Sequence, residues 1–141
     1  EPLKYTADEL AWAATIRESL GDDAPELAEA AQIEDYAVLT GYGSTDVGDV
    51  SRAVPTVSVR TATWVPGTAA HSWQAVAASG HSYGAKGTQH AAKAMMLAAV
   101  ELYTNPQLRE TAKAEFIAAR GEDYVYESLL GDRAPPLDYR K

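Results

Sequence analysis

Two short stretches of the sequence contain the residue types that could carry out chemistry. The stretch GSTDVGDVS, residues 43–51, places Asp46 and Asp49 three positions apart among glycines and small hydroxyl residues. The stretch PGTAAHSWQ, residues 66–74, holds His71, the first of only three histidines. Zinc accepts both neutral imidazole and carboxylate as ligands, and an imidazole can also serve as a general base. The pair of stretches therefore suggests a metal-dependent or a hydrolytic site.

Each stretch also has an interpretation that involves no chemistry. Thr45 or Asp46 could cap a helix, and Asp49 would then favour the positive end of the helix dipole. His71 could be an ordinary loop histidine. However, it follows a predicted strand, and ligands collect beyond the carboxyl ends of strands in open α/β sheets. The sequence near His71 offers no second histidine or glutamate at ligand spacing, so His71 would be one metal ligand among several.

The other histidines and one lysine have structural interpretations. His90 opens a predicted helix and is expected to cap it or contact the core, while His81 lies in a turn rich in glycine and serine. Lys86 could bind an anion near a helix N-terminus, but a solvated lysine in a turn is the preferred interpretation.

A Ser–His–Asp triad is formally available from Ser72 or Ser82 together with His71 and Asp46. The G-x-S-x-G turn that exposes a nucleophilic serine in one large class of hydrolases is missing from the sequence. A serine hydrolase therefore remains a weaker alternative.

Two helices carry clear end signals. Residues 6–20 begin with Thr6 and Glu9, which have the spacing of a capping box, in which each side chain bonds the backbone amide of the other. Residues 106–120 follow Asn105, an N-cap residue, and begin with a proline, which is tolerated at the first helical position.

The central part of the chain predicts a sheet. Residues 54–65 are rich in β-branched side chains and alternate in polarity, which is typical of a strand. Residues 69–83 look irregular, and residues 88–103 predict a helix that is apolar almost all round from Ala91, so we expect both of its flanks to be covered. The expected fold is α/β, part of a three-layer catalytic domain with helices packed on a sheet. One strand cannot form a stable sheet, so the sheet is expected to be incomplete in this chain.

The amino-acid composition disfavours several classes of function. The chain has 141 residues, enough for one domain, and a net charge of −8, which disfavours nucleic acid and anionic membrane surfaces as partners. It has no cysteine, which excludes disulfides and thiolate metal sites. It also has no apolar run of the roughly 20 residues that a membrane-spanning helix needs, and we expect a cytoplasmic protein.

The chain begins EPLKYT, without methionine. Together with the incomplete sheet, this start suggests a piece of a longer polypeptide that was processed, trimmed or excised. The expected partner is therefore a missing N-terminal half of the same protein or a companion subunit.

Taken together, these motifs resemble those of a known family. The stretch from GSTDVGDVS through PGTAAHSWQ to GTQHAAKAMMLAA is similar to the last part of amidohydrolases of the aminobenzoyl-glutamate utilisation protein B type. These enzymes belong to the zinc aminoacylase and carboxypeptidase family. The opening YTADELAWAATI also resembles the segment that follows that family's inserted lid domain. The resemblance assigns residues 1–121 to the C-terminal portion of the catalytic domain and residues 122–141 to a tail.

The resemblance implies a function. Members of the family hydrolyse the amide bond of a small N-acyl amino acid such as aminobenzoyl-glutamate, typically with two divalent metal ions, and form homodimers. Zinc is the expected metal, with manganese or cobalt possible. His71 matches the late metal-ligating histidine of the family. The general-base glutamate and the other ligands would lie outside this chain, so the chain alone is expected to be inactive and to contain no catalytic residue.

The resemblance also suggests residues that line the site. At a few positions, however, this sequence departs from the family pattern. Ser44, Thr45 and Asp46 would line its floor, while Asp49 and Ser72 are further candidates for contacts with substrate or ligand. Where the family often reads Gly-His-Lys-Gly, residues 84–87 read Gly-Ala-Lys-Gly, and Arg52 stands where an aromatic residue is common. The alternative function is a non-catalytic association module derived from the same half-domain.

Overall fold

The computed structural model describes residues 2–33 and 45–138, which form five α-helices and one short 3₁₀ helix. In chain order the α-helices are α1 Ala7–Glu18, α2 Val47–Ala53, α3 Trp73–Ser79, α4 Ser82–Thr104 and α5 Pro106–Arg120. The 3₁₀ helix Leu27–Ala31 lies between α1 and α2 in the sequence. The chain divides into unit 1, Glu1–Leu39 with Ser58–Thr104, and unit 2, Thr40–Val57 with Asn105–Lys141.

The predicted α/β fold is wrong. Residues 2–33 and 45–138 contain no β-strand and are helical wherever they are regular. The predicted strand 54–65 begins at the end of α2, and residues 55–63 have no regular structure. Its β-branched side chains favour a strand only where they can pack on a pleated, half-buried surface. No described segment offers it a ladder, and Val57 is 83% exposed. The three-layer arrangement on a sheet is corrected accordingly.

The capped helices are confirmed. Thr6 accepts a hydrogen bond from the Glu9 amide at 3.2 Å, and the Glu9 carboxylate accepts one from the Thr6 amide at 2.7 Å, which completes the capping box of α1. Asn105 accepts a hydrogen bond from the Leu108 amide at 3.1 Å, and α5 ends at Gly121 with a φ of 94°. Local capping chemistry therefore fixes both helix starts.

The prediction of irregular structure at 69–83 is wrong. This segment contains α3, which Ser72 caps, and the start of α4. Helix α4 begins at Ser82, six residues before the predicted start at 88, and it runs through Gly84 and Gly87. The structure shows a packing reason for them.

Gly84 and Gly87 allow α4 to lie directly on the backbone of the preceding segment. A β-carbon at Gly87 would stand 2.0 Å from the carbonyl oxygen of Ala62, and one at Gly84 would stand 2.3 Å from that of Ala78. Only glycine permits such a close approach. The extended segment 55–63 therefore ends against a helix rather than in a sheet.

The core of unit 1 is small and centres on one aromatic ring. Tyr83 is fully buried, and with Val65 it is the largest completely enclosed side chain among the described residues. Its ring stacks on Tyr5 with the ring centroids 4.2 Å apart and lies 5.8 Å from Trp12. The buried cluster around Tyr83 is completed by Ala13, Ile16, Ala30 and Val65.

The second half of α4 is not covered by the described residues. Met95, Met96 and Leu97 are 63%, 66% and 70% exposed, and Tyr103 is 86% exposed. The expectation that both flanks of this helix are buried is therefore wrong within the part of the chain that the structure describes. No helix in that part is long and apolar enough to cross a membrane.

Candidate functional site

His71 has an unusual backbone conformation. Its φ is 62°, and it is the one described residue other than glycine with a positive φ. This left-handed region is uncommon for residues that carry a side chain. The residue is exposed, and its imidazole makes no hydrogen bond or ion pair with the described residues. Unit 1 therefore presents a free imidazole on a turn directly before α3.

The turn that carries His71 is fixed by its neighbour. Ser72 is the N-cap of α3, and its hydroxyl accepts a hydrogen bond from the Ala75 amide at 3.2 Å. The same hydroxyl donates to the carbonyl of Ala69 at 2.7 Å. Both bonds hold the loop against the start of the helix, so Ser72 positions the turn and its hydroxyl is already in use.

The acidic candidates lie in unit 2, whereas His71 and Ser72 lie in unit 1. Asp46 occupies the N-cap position of α2 without a side-chain capping bond, and Thr45 accepts a hydrogen bond from the Val47 amide at 3.3 Å. Asp49 lies in the first turn of α2, beside Tyr126. Burial raises the pKa of the Tyr126 phenol, and the Asp49 carboxylate raises it further. Ser44 lies outside the described residues.

The interpretation of Asp46 as part of a helix start agrees with this geometry. Asp46, Asp49 and their neighbours are exposed, and they stand where capping and the helix dipole favour acidic side chains. The described residues contain no group of three or more His, Cys, Asp or Glu side chains that could hold a metal ion. A free, exposed imidazole fits the role of one zinc ligand, but a zinc site needs about four donors.

The serine alternatives are both occupied in other ways. Ser82 donates its hydroxyl hydrogen bond to the Glu9 carboxylate at 2.8 Å, and Ser72 donates to the backbone. Neither serine is hydrogen-bonded to a histidine, which a serine nucleophile requires for activation.

The sequence-based predictions missed a buried polar cluster around Glu9. The Glu9 side chain is 7% exposed and pairs with Lys86 at 2.5 Å. Lys86 also donates to the carbonyl of Lys4 at 2.9 Å, so it is neither a free turn lysine nor an anion site. The capping box was a visible signal for Glu9, but nothing in the local sequence indicated that its second partner lies 77 residues away.

His81 is also built into this region. Its ring stacks on Trp12 with the ring centroids 4.0 Å apart and the planes within 7°. Its Nδ1 accepts a hydrogen bond from the Tyr83 amide at 3.1 Å, which satisfies one of the free amides at the start of α4. Because Nδ1 acts as an acceptor, any proton of the neutral ring is on Nε2. His81 is therefore structural, as the sequence suggested.

The cluster makes unit 1 sensitive to acid. The hydrogen bond from Lys86, helped by those from the Thr6 amide and the Ser82 hydroxyl, lowers the pKa of Glu9 from 4.5 to about 2. A carboxyl group with a depressed pKa in the folded state stabilises the fold above its unfolded pKa and loses this contribution as the pH falls through the folded value. The buried carboxylate is thus an anchor between α1 and α4, and it is too weak a base for catalysis near neutral pH.

We therefore expect the free energy of unfolding to decline between about pH 4.5 and pH 2, the range between the unfolded and folded pKa values of Glu9. Denaturant titrations at a series of pH values measure this decline. The Glu9→Gln variant should be less stable at neutral pH and should show a shallower decline in that range. Asp8→Asn, which changes an exposed carboxylate of the same helical turn, is the matched control. If the free energy of unfolding of Glu9→Gln declines as steeply with falling pH as that of the parent chain, Glu9 is not the group responsible for the decline.

No family model, no curated protein and no solved structure matches the chain.

Proposed function

We propose that the chain acts as one part of a metal-dependent amidohydrolase that cleaves the amide bond of small N-acyl amino acids. The observation that supports the proposal best is the conformation of His71. A residue with a side chain held in the left-handed region costs roughly 1–3 kcal/mol, and such residues cluster at functional sites. In the preceding turn, Gly67 takes a φ of 86°, where glycine has no such cost. Position 71 instead carries an unpaired imidazole.

In this proposal His71 is one ligand of a divalent metal centre. Neutral imidazole suits zinc best among the expected metals, with manganese and cobalt as alternatives. The metal would acidify a bound water and polarise the amide carbonyl. Ser72 holds the turn from which His71 projects. Thr45, Asp46, Asp49 and Ser44 are proposed to contact substrate. The remaining ligands and the general base would come from another polypeptide, in a cytoplasmic assembly that forms a homodimer.

A second candidate function is a non-catalytic association module. The observation that favours it is the uncovered apolar half of α4, where Met95, Met96 and Leu97 are all more than 60% exposed. Exposed apolar surface of this kind is typical of protein–protein interfaces, and methionine is enriched in them. The two candidates share the need for a partner. They differ in whether His71 contributes to metal binding.

The metal content of the complete assembly separates the two candidates. The full chain is purified with the polypeptides that accompany it, and bound metal and hydrolysis of N-acyl amino acids are measured for the parent and for His71→Ala. Loss of even an outer-shell partner of a metal ligand lowers metal affinity by roughly 10–100-fold. We therefore expect at least a tenfold loss of metal affinity for His71→Ala, together with loss of hydrolysis.

The matched control is His90→Gln, which removes a histidine from α4 and should leave the metal content unchanged. Metal binding that survives His71→Ala would reject the amidohydrolase role and favour the association module. Hydrolysis by the 141-residue chain with no second polypeptide present would contradict the proposal that the other ligands are supplied from elsewhere.

A further inference from the structure

Unit 2 contains a cavity lined by two arginines. Residues of α2 and α5 line a shallow cavity of about 250 Å³ that is largely open to solvent. Its lining consists of Ser51, Arg52, Phe116, Ala119 and Arg120. The lining residues thus include two arginines, one serine, one aromatic residue and one alanine. This combination is unexpected on a chain whose net charge is −8.

The guanidinium of Arg120 is held in place by aromatic rings. Its Cζ lies 4.6 Å from the centroid of the Phe116 ring and 5.5 Å from that of Tyr124. Contacts of a guanidinium with aromatic faces at these distances are attractive. Because Phe116 stands one helical turn before Arg120, α5 itself sets the direction of the side chain. The group is therefore positioned before any ligand arrives.

The donors of Arg120 are largely unused. Its Nε is buried and has no hydrogen-bond partner among the described residues, and its Nη1 makes a long bond of 3.5 Å to the carbonyl oxygen of Arg52. A guanidinium carries five N–H donors in a fixed planar fork. Apart from the long bond to Arg52, the Nη donors of Arg120 make no hydrogen bond with the described residues, so they are the donors that an added acceptor could engage.

Neither arginine of the cavity is paired with a carboxylate of the described residues. No salt bridge involves Arg52 or Arg120. Asp49, the acidic residue one turn before Arg52 on α2, lies beside Tyr126. By contrast, Arg17 and Lys86 of unit 1 are both paired with glutamates. The cavity thus keeps two cationic groups available for an external anion.

We propose that this cavity binds a small oxyanion, a carboxylate or a phosphate, through the planar fork of Arg120 and the charge of Arg52. Guanidinium groups bind both kinds of anion in a bidentate manner. The Phe116 ring and the Ala119 methyl group provide an apolar wall, which fits a ligand with a small hydrocarbon part. The site does not involve His71, so it goes beyond the proposed function and does not depend on it.

Titration of the full chain with two anions tests the proposal. The arginine Nε–Hε signals of ¹⁵N-labelled protein are followed while sodium acetate or inorganic phosphate replaces sodium chloride at constant ionic strength. We expect the Arg120 signal, assigned with Arg120→Lys, to shift and saturate with at least one of the anions. Saturation with acetate alone identifies a carboxylate site, saturation with phosphate alone a phosphate site, and saturation with both a general oxyanion site.

Variants separate a built site from general electrostatic attraction. Arg52→Gln leaves Arg120 in contact with the rings of Phe116 and Tyr124 and should weaken anion binding at least threefold. Arg133→Gln removes the same charge from an exposed position of unit 2 and should leave the affinity unchanged. A shift that does not saturate with either anion, or equal weakening by Arg52→Gln and Arg133→Gln, would overturn the proposal.

Discussion

Replacement of Gly87 by alanine is expected to destabilise unit 1 severely. The new β-carbon would stand 2.0 Å from the carbonyl oxygen of Ala62 and 2.7 Å from its carbonyl carbon, and both are backbone atoms that cannot rotate away. Overpacking of this kind costs roughly 1–3 kcal/mol and occasionally more. The better helix propensity of alanine recovers about 1 kcal/mol. We expect a net loss of about 2 kcal/mol, because the clash with backbone atoms lies at the upper end of the overpacking range, together with a shift of α4 away from residues 62–63.

Denaturant unfolding followed by circular dichroism measures this loss. Gly48→Ala is the matched control because Gly48 also lies within a helix, α2, and a β-carbon there would meet nothing within 4 Å. We expect Gly48→Ala to be neutral or to stabilise the chain by up to about 1 kcal/mol. Equal effects of the two substitutions would show that the close approach of α4 to residues 62–63 is absent in solution.

The second large effect is expected at Tyr83. Its side chain is fully buried between Tyr5 and the core residues of unit 1, and Tyr83→Ala would leave a cavity there. Truncation of a buried aromatic side chain to alanine typically costs about 3–5 kcal/mol. Because the core of unit 1 is small, we expect this variant to lose cooperative unfolding and fixed aromatic circular dichroism signals.

Tyr83→Phe separates the role of the ring from that of the hydroxyl. The buried Tyr83 hydroxyl interacts at most with the neighbouring Tyr5 hydroxyl and makes no hydrogen bond of good geometry with the described residues. Burial raises the pKa of this phenol, so it stays neutral. Removal of an unsatisfied buried polar group is nearly neutral or stabilising. We therefore expect Tyr83→Phe to retain the stability of the parent chain. A loss by Tyr83→Phe as large as that by Tyr83→Ala would contradict this packing.

Local signals in the sequence predicted the helix ends well. The Thr6–Glu9 capping box and the Asn105–Pro106 start depend on residues within one turn, so their geometry follows from neighbours in the sequence. Asp46 also stands at the predicted helix start, although its side chain makes no capping bond. These features depend little on the rest of the chain.

The predictions that failed depended on distant partners. Residues 54–65 have the composition of a strand, but a strand forms only where another strand offers a ladder. Gly84 and Gly87 resemble turn residues, and their value as contact points becomes visible only when Ala62 and Ala78 are placed beside them. The Glu9–Lys86 pair spans 77 residues and could not be read from spacing.

The sequence singled out His71 as a candidate metal ligand, and this role stays a prediction. The left-handed backbone of His71 is a property of the turn and has no signature in composition. The cavity with Arg52 and Arg120 was missed because the two arginines lie 68 residues apart. Arg52 attracted notice only as a departure from the family pattern.

The contacts of Glu9 affect the order in which the segments of unit 1 can fold. Ser82 and Lys86, which bond its carboxylate, follow it by 73 and 77 residues. During synthesis α1 therefore emerges from the ribosome long before these two partners of Glu9 exist, and the Glu9 carboxylate stays hydrated until then. Contacts between such distant residues slow folding because a long loop must close first. Of the described helices, the first to be synthesised is consequently among the last to complete its contacts.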